Sequence, residues 1–204
     1  MRLLTLVNFY NQYHRYINLP FEIQKPELFN TTPNHVIHQQ LDNHYDQNMV
    51  DFFKKFDMEV LLIECFYTPP NGGKVPIHTD FWWWETDFVK INMTWGPDDG
   101  EIVWWKCDKT FEFEVTQGHH KQGDVELEYN DKIRVLTASP KNCTKLYSAV
   151  TNRPSLVNTG ILHSTINPSN SPRWTVCFVP VWDIKSEAYV TWNEATEIFK
   201  EYLE

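Results

Sequence analysis

Short apolar runs separated by turn-forming residues dominate the chain from residue 58 onward. The runs are rich in β-branched and aromatic side chains, and clusters of proline, glycine, asparagine or aspartate interrupt them at short intervals. No repeat or low-complexity tract is present. The pattern predicts a mainly β protein of the sandwich or jelly-roll type. The clearest strand-like runs are residues 58–67, 88–95, 100–105, 111–115, 132–138, 164–167 and 173–182.

Three other segments carry helix signals. Thr32, followed by proline, predicts the start of a short helix, and residues 46–56 place apolar side chains on one helical face. Near the C-terminus, Thr191 and Glu194 have the spacing of a capping box, which predicts a terminal helix packed outside the sheets. The two apolar faces consist of Met49, Phe52, Phe53 and Phe56, and of Ala195, Ile198, Phe199 and Tyr202.

Length and composition indicate one packed domain. The chain has 204 residues, of which 42% are hydrophobic and 22% are charged, and this places it far from disordered proteins. We therefore predict a single domain over residues 1–204. Within it, residues 1–57 give N-terminal strand and helical support, residues 58–184 form the β core, and residues 185–204 form the C-terminal helix.

The charge balance makes nucleic acid an unfavourable partner. The 18 basic and 27 acidic residues give a net charge of -9, so the chain as a whole repels phosphate backbones. The apolar stretch in the first residues is too short and too polar for a signal peptide or a membrane span. This predicts a cytoplasmic protein without membrane contact. The four dispersed cysteines indicate buried free thiols in a reducing compartment: Cys65, Cys107, Cys143 and Cys177.

The first candidate for chemistry is a histidine and a carboxylate two residues apart. His78 and Asp80 lie in a strand-like context, where alternate side chains point to the same face. An isolated pair of this kind is more often a solvated strand end than a binding site. A second element is needed before the pair can indicate a metal.

A second element is found about eighty residues later. Two strand-like runs flank residues 167–172, which are dense in turn formers and predict a hairpin. With the turn centred near Pro168, His163 lies opposite Arg173, and Thr175 shares the same face. The sequence therefore predicts that His163, Arg173 and Thr175 point into one space.

These residue types fit a mononuclear iron site. Two histidines and one carboxylate, here His78, His163 and Asp80, occupy one face of an octahedral iron(II) ion and leave three positions open. A 2-oxoglutarate molecule can fill two of these positions, with dioxygen taking the third. Its distal carboxylate needs a fixed bidentate cation, and Arg173 with the Thr175 hydroxyl fits that need.

At this point the order and spacing resemble a known superfamily. His78-x-Asp80, then His163, then Arg173 ten residues later with Thr175 two beyond, resembles the iron(II)/2-oxoglutarate-dependent dioxygenases over residues 67–180. The resemblance implies a double-stranded β-helix, or jelly roll, with flanking helices at the N-terminal side and the C-terminus. It also implies iron(II), 2-oxoglutarate and dioxygen as reactants, succinate and carbon dioxide as products, and hydroxylation of a C–H bond.

Two further features are similar to the prolyl-hydroxylase branch of this superfamily. Tyr67 lies eleven residues before His78, where that branch has a tyrosine that binds the distal carboxylate of the cosubstrate. Gly100 begins an aromatic strand that resembles the branch's glycine-led strand. The implied substrate is an amino acid, a peptide in which proline is one candidate, or another small molecule.

Several residues have weaker assignments. Asn92 alternates with apolar neighbours and reaches the cosubstrate from a neighbouring strand or is an ordinary polar strand position. Trp82, Trp83 and Trp84 follow the metal motif and either contact the substrate at the mouth of the site or pack in the core. His119, with His120 beside it, lies in a glycine-flanked polar segment that predicts a solvated turn in preference to a metal site, because no third ligand accompanies the pair.

Two other function classes stay open on the sequence alone. The nine tryptophans are compatible with a non-catalytic jelly-roll module that binds a carbohydrate or another ligand. A nucleic-acid dealkylase of the same superfamily would share the iron chemistry, but it would need a basic groove for the phosphate backbone. The acidic net charge places the dealkylase third.

Overall fold

The residues that the structure describes form two sheets, antiparallel except for one parallel pair of strands, together with two helices. The computed structural model describes residues 11–26, 33–42, 45–80, 87–115, 118–122, 125–129 and 133–204. The strands within these residues are β1 His14–Tyr16, β2 Val36–Leu41, β3 Glu59–Thr68, β4 Gly73–His78, β5 Val89–Trp95, β6 Glu101–Cys107, β7 Phe111–Val115, β8 Gly118–Gln122, β9 Val125–Tyr129, β10 Ile133–Thr137, β11 Cys143–Val150, β12 Ser155–Asn158, β13 His163–Asn167, β14 Arg173–Asp183 and β15 Ala188–Tyr189. The helices are α1 Gln47–Lys54 and α2 Trp192–Ile198, and a 3-10 turn spans Pro140–Asn142.

The strand order defines a double-stranded β-helix, as the sequence predicts. The larger sheet has the order β1-β12-β5-β14-β3-β2-β9-β8, with β15 on β14, and the smaller has the order β11-β6-β13-β4-β10-β7. Strands β3, β5, β12 and β14 lie in the larger sheet, whereas β4, β6, β11 and β13 lie in the smaller. The chain therefore passes back and forth between two facing sheets, with β7 to β10 as an excursion between β6 and β11.

Strands β3, β5 and β14 of the larger sheet each present two different faces. In β3, Ile63, Cys65 and Tyr67 join the main hydrophobic cluster, together with alternate residues of β5 and β14. The helices cover this outer face, and the rings of Phe52 in α1 and Phe199 at the end of α2 stack with centroids 5.6 Å apart. The opposite faces of the same strands turn toward the smaller sheet and leave an inner space for polar side chains.

The two helices form where their sequence signals lie. Asp46 caps α1 by accepting hydrogen bonds from the backbone N–H groups of Asn48 and Met49. Thr191 and Glu194 form the predicted capping box at the start of α2. The terminal helix is shorter than the predicted 185–204, because β15 adds to the edge of β14 before the helix begins. Neither helix among the described residues has the length and apolar content needed to cross a membrane.

Two local predictions were wrong. The helix expected from Thr32 onward does not form in residues 33–42, where the chain bends and enters β2, while Thr32 itself lies outside the described residues. The solvated turn expected at His119 and His120 is strand β8, because Gly118 to Gln122 pair residue by residue with β9.

The prediction of four free thiols was also wrong. Cys107 and Cys143 are directly opposed in the β6–β11 pair and form a disulfide, with their Cα atoms 4.0 Å apart. The two cysteines lie far apart in the sequence, and only the strand register shows that they are paired. Cys65 and Cys177 are free and buried, as expected. The inference of a reducing compartment, which rested on four free thiols, therefore loses its basis.

Candidate metal and carboxylate site

Two histidines and an aspartate meet between the sheets. His78 ends β4 and is directly paired with His163, the first residue of β13. Asp80 follows His78 by two residues, and its Oδ1 lies 3.2 Å from His78 Nε2 and 3.6 Å from His163 Nε2. The three ligand atoms all lie within 4.8 Å of one another, close enough to coordinate a single ion.

Backbone carbonyls fix both imidazole rings in the orientation that a metal requires. His78 Nδ1 lies 2.8 Å from the carbonyl oxygen of Pro76, and His163 Nδ1 lies 2.9 Å from that of Ile161. Because a carbonyl oxygen only accepts, each Nδ1 carries the proton and donates it. Each Nε2 faces Asp80 and is the ring nitrogen that can bind a metal when the imidazole is neutral.

The second oxygen of Asp80 is held by a buried lysine. Lys90 Nζ lies 2.8 Å from Asp80 Oδ2 and also contacts Glu64, whose other oxygen lies 3.1 Å from His38 Nε2. Lys90 is only 2% exposed. Burial by itself raises the pKa of Asp80, but the ammonium group of Lys90 outweighs it and holds this pKa well below its usual value. Asp80 is therefore a carboxylate.

His163 is kept neutral by its surroundings. Burial lowers the pKa of His163 to about 4, and the nearby Asp80 carboxylate offsets this only in part. A neutral imidazole is the form that can donate a lone pair to an ion.

Arg173 reaches the same space from the larger sheet. Its side chain is 2% exposed and donates one hydrogen bond, 2.5 Å long, to Thr151 Oγ1, while its Nε has no acceptor. No carboxylate in the described part of the chain pairs with this guanidinium. Burial lowers its pKa to about 10, so it stays charged. The absence of a side chain at Gly100 leaves room for the Arg173 side chain, since a Cβ at residue 100 would lie 2.6 Å from Arg173 Cδ.

Thr175 and Asn92 also line this cavity, as the period-2 pattern of their strands indicates. Thr175 Oγ1 lies 3.5 Å from Thr94 Oγ1, and Asn92 Oδ1 is buried without a partner. The hydroxyls of Thr159 and Thr165 are likewise buried without partners. The cavity volume is about 30 Å³, room for about two water molecules. Its walls therefore carry more hydrogen-bonding capacity than the described residues satisfy.

The expected role of Tyr67 was wrong. Its hydroxyl donates to the carbonyl oxygen of Pro33 at 3.0 Å, and its ring packs on Trp174 with centroids 4.3 Å apart. Tyr67 belongs to the outer, hydrophobic face of β3, and the neighbouring Phe66 lines the cavity instead. Trp82, Trp83 and Trp84 lie outside the described residues.

The predicted hairpin between His163 and Arg173 was wrong, although both side chains reach the same cavity. Strand β13 pairs with β4 and β6 in the smaller sheet, whereas β14 pairs with β3 and β5 in the larger. His163 and Arg173 therefore approach from facing sheets and not from adjacent strands.

Sequence reasoning missed the buried charges beside the site, although two signals were present. Lys90 lies two residues before Asn92 in β5 and therefore shares its face. Glu64 interrupts an apolar strand, a position where a charged side chain needs a partner.

Comparisons with known proteins give distant structural similarities. No protein-family model matches the sequence, and no curated protein matches it. Similar solved structures include E. coli ycfD, with 12% identity, a TM-score of 0.37 and coverage of 81% of this chain and 41% of that one. Another is a 2OG-Fe(II) oxygenase family oxidoreductase from Burkholderia pseudomallei, with 13% identity, a TM-score of 0.33 and coverage of 65% and 52%.

Oxalate oxidase in complex with the substrate analogue glycolate has 14% identity and a TM-score of 0.31, with coverage of 72% of this chain and 52% of that one. The present chain thus spans about half the length of these three matched chains or less. Similarity at this level carries no functional argument, and the fold assignment rests on the strand order and pairing described above.

Proposed function

We propose that this protein is an iron(II)- and 2-oxoglutarate-dependent dioxygenase that hydroxylates a C–H bond of an amino acid, a peptide or another small molecule. The observation that carries the proposal is a buried guanidinium without an anionic partner in the described residues, in the same cavity as a two-histidine, one-carboxylate cluster. A charge in such a place is costly unless a ligand neutralises it.

The donor set fits iron(II). His78, His163 and Asp80 would hold the ion through two nitrogens and one oxygen, which leaves open positions for a cosubstrate and dioxygen. The proton on each Nδ1 and the Lys90 contact on Asp80 Oδ2 keep the three ligand atoms aimed at one point.

The other end of the cavity fits a dicarboxylate. Arg173, with the Thr175 hydroxyl beside it, would bind the distal carboxylate of 2-oxoglutarate, and Asn92 offers a further polar contact. The cavity of about 30 Å³ is smaller than this molecule, so its binding must displace side chains at the wall. Iron(II) with 2-oxoglutarate and dioxygen supplies the oxidising power for hydroxylation, with succinate and carbon dioxide released.

Arg173→Ala tests the proposal directly. The purified protein is loaded anaerobically with iron(II), and 2-oxoglutarate binding is followed by the weak visible absorption of the chelated ion. We expect wild-type protein to bind 2-oxoglutarate and, in air, to form succinate. Arg173→Ala should weaken 2-oxoglutarate binding by at least about 100-fold, because a buried charge-assisted pair is lost, while iron binding is retained.

Arg134→Ala is the matched control. Arg134 is an exposed arginine on β10 that pairs with Glu112 and does not line the cavity. It should leave 2-oxoglutarate binding unchanged. Absence of any 2-oxoglutarate binding by iron-loaded wild-type protein would exclude the proposed reaction. A non-catalytic binding module would instead retain its ligand in both His78→Ala and Asp80→Ala.

A further inference from the structure

A second group of ligand-type side chains meets at the far edge of the larger sheet. His35 immediately precedes β2, His119 lies in β8, and Glu128 lies in β9. His35 Nε2 is 2.8 Å from Glu128 Oε2, His119 Nε2 is 4.0 Å from the same oxygen, and the two imidazole centroids are 5.0 Å apart. One ligand atom from each residue lies within 4.8 Å of the others.

We propose that His35, His119 and Glu128 form a second metal site, which binds a divalent transition-metal ion of the zinc class. Two imidazoles and one carboxylate are ligands that zinc accepts, whereas magnesium and calcium prefer oxygen donors alone. This site is separate in sequence and in sheet position from the cluster of His78, Asp80 and His163, and it does not depend on the function proposed above.

The geometry needs only a small adjustment to bind the ion. Zinc bonds to nitrogen and oxygen of about 2.0–2.2 Å in a tetrahedron place ligand atoms roughly 3.3 Å apart. The His35 to Glu128 distance is already shorter than this, and His119 Nε2 must approach Glu128 Oε2 by less than about 1 Å and His35 by less than about 1.5 Å. The side chain of His119 is 70% exposed, so its rotation meets little packing, and solvent can supply the fourth ligand.

The third residue distinguishes this group from an ordinary surface ion pair. His35 and Glu128 alone would form a hydrogen bond, and such pairs are common without a metal. His119 adds a ligand from another strand, and it is directly opposed to Glu128 in the β8–β9 register. His119 and Glu128, which follow His35 by 84 and 93 positions in the sequence, thus converge with it at one point.

A metal at this point would tie the excursion between β6 and β11 to the rest of the larger sheet. Strand β9 joins β2 through three parallel residue pairs, and β8 is the last strand of that sheet. An ion bound by β8, β9 and the start of β2 would cross-link all three.

The test measures zinc binding in protein stripped of metal, with Asp80→Ala included to disable the other cluster. Asp80→Ala should bind one zinc ion per chain by calorimetric titration. Adding His119→Ala or His35→Ala should weaken that binding by at least about 100-fold, since even a residue that only supports a ligand contributes 10–100-fold. Adding His120→Ala is the matched control, because His120 is the neighbour of His119 on the same strand and lies outside the cluster. It should leave the binding unchanged.

A second measurement covers the case in which Asp80→Ala does not fold. Cobalt(II) is titrated into metal-free protein with an intact Asp80, and bound cobalt per chain is counted after gel filtration. His119→Ala should bind one ion fewer than His120→Ala. Equal cobalt or zinc binding by these two variants, or no zinc binding by folded Asp80→Ala, overturns the second site and leaves the first untouched.

Discussion

Asp80 uses its two carboxylate oxygens for different contacts. Oδ1 faces the imidazoles of His78 and His163, and Oδ2 pairs with Lys90. Lys90 also neutralises Glu64, so one ammonium group compensates two buried carboxylates. Without it, both carboxylates would lose the ammonium group that compensates their burial in a low-dielectric space. Lys90 therefore keeps Asp80 ionised and oriented.

Lys90→Met tests this arrangement, since methionine fills a similar space without the charge. We expect the free energy of unfolding of the metal-free protein to fall by about 3–5 kcal/mol in urea denaturation, because two buried carboxylates lose their partner. Lys200→Met, at a lysine with 62% exposure, should change it by less than about 1 kcal/mol.

Glu64→Gln combined with Lys90→Met completes the test. Removing both charges leaves one fewer buried carboxylate, so the double variant should be more stable than Lys90→Met alone. A double variant as unstable as the sum of the two single variants would mean that Lys90 and Glu64 do not interact.

Sequence spacing was enough to predict four residues that line one cavity, but it was not enough to predict the face of the strand on which Tyr67 lies. His78, Asp80, His163 and Arg173 line one cavity, as their order and spacing in the sequence predict. Tyr67 has the expected interval to His78, yet a shift of one residue in a strand moves a side chain to the other face. Only the register, which pairs Tyr67 with the outward-facing Trp174, shows which face it takes.

At the level of elements, the strands were predictable and their connections were not. Alternation and composition placed most of the core strands, because these depend on neighbours in sequence. The crossing from β13 to β14 depends instead on Asn167, which is fully buried. Its Nδ2 donates to the carbonyl oxygens of Thr68, Pro69 and Ser171, and this fixes the turn against the end of β3. No local pattern distinguishes such a crossing from a hairpin.

The Cys107–Cys143 disulfide gives a test at this level. It joins β6 and β11 across the excursion that contains β7 to β10 and closes a loop of 36 residues. Replacing both cysteines by serine should lower the free energy of unfolding by about 3–4 kcal/mol, because the unfolded chain regains the entropy that the cross-link removes. Urea denaturation of the wild-type protein and of the double-serine variant, both without reducing agent, measures this difference in the free energy of unfolding.

Thiol counting checks that the disulfide forms. Denatured but unreduced protein should have two reactive thiols, from Cys65 and Cys177, and four after reduction. Four thiols before reduction would show that Cys107 and Cys143 are not bonded in the isolated protein.

In the molecule as a whole, one face of the larger sheet packs in the main hydrophobic cluster and the other face carries the polar side chains of the candidate site. The outer face of β3, β5 and β14 packs with the helices in the main hydrophobic cluster, and a smaller cluster of Ile102, Trp104 and Val157 joins the two sheets. The inner face can therefore hold Lys90, Asn92, Arg173 and Thr175 without loss of the main core. This separation explains how buried charges coexist with a chain of ordinary hydrophobic content.

His14 is a buried titratable group outside the candidate metal cluster, and it makes the stability of the whole fold depend on pH. Its Nε2 lies 3.1 Å from Ser155 Oγ, and its ring packs against Tyr16 and Trp104. Burial, helped by the charges of Arg153 and Arg15, lowers its pKa from 6.5 to about 4. In the window between these values the unfolded chain binds a proton that the folded protein does not bind.

The folded state must therefore lose stability as the pH falls through this window. Stability from neutral His14 is fully present above pH 6.5 and declines by about 1.4 kcal/mol per pH unit toward pH 4. Between about pH 7.5 and pH 5, the wild type should lose about 2 kcal/mol more than His14→Leu in urea denaturation, because leucine fills the site without titrating. Equal losses in the two proteins would mean that His14 takes up its proton at the same pH in the folded and unfolded states.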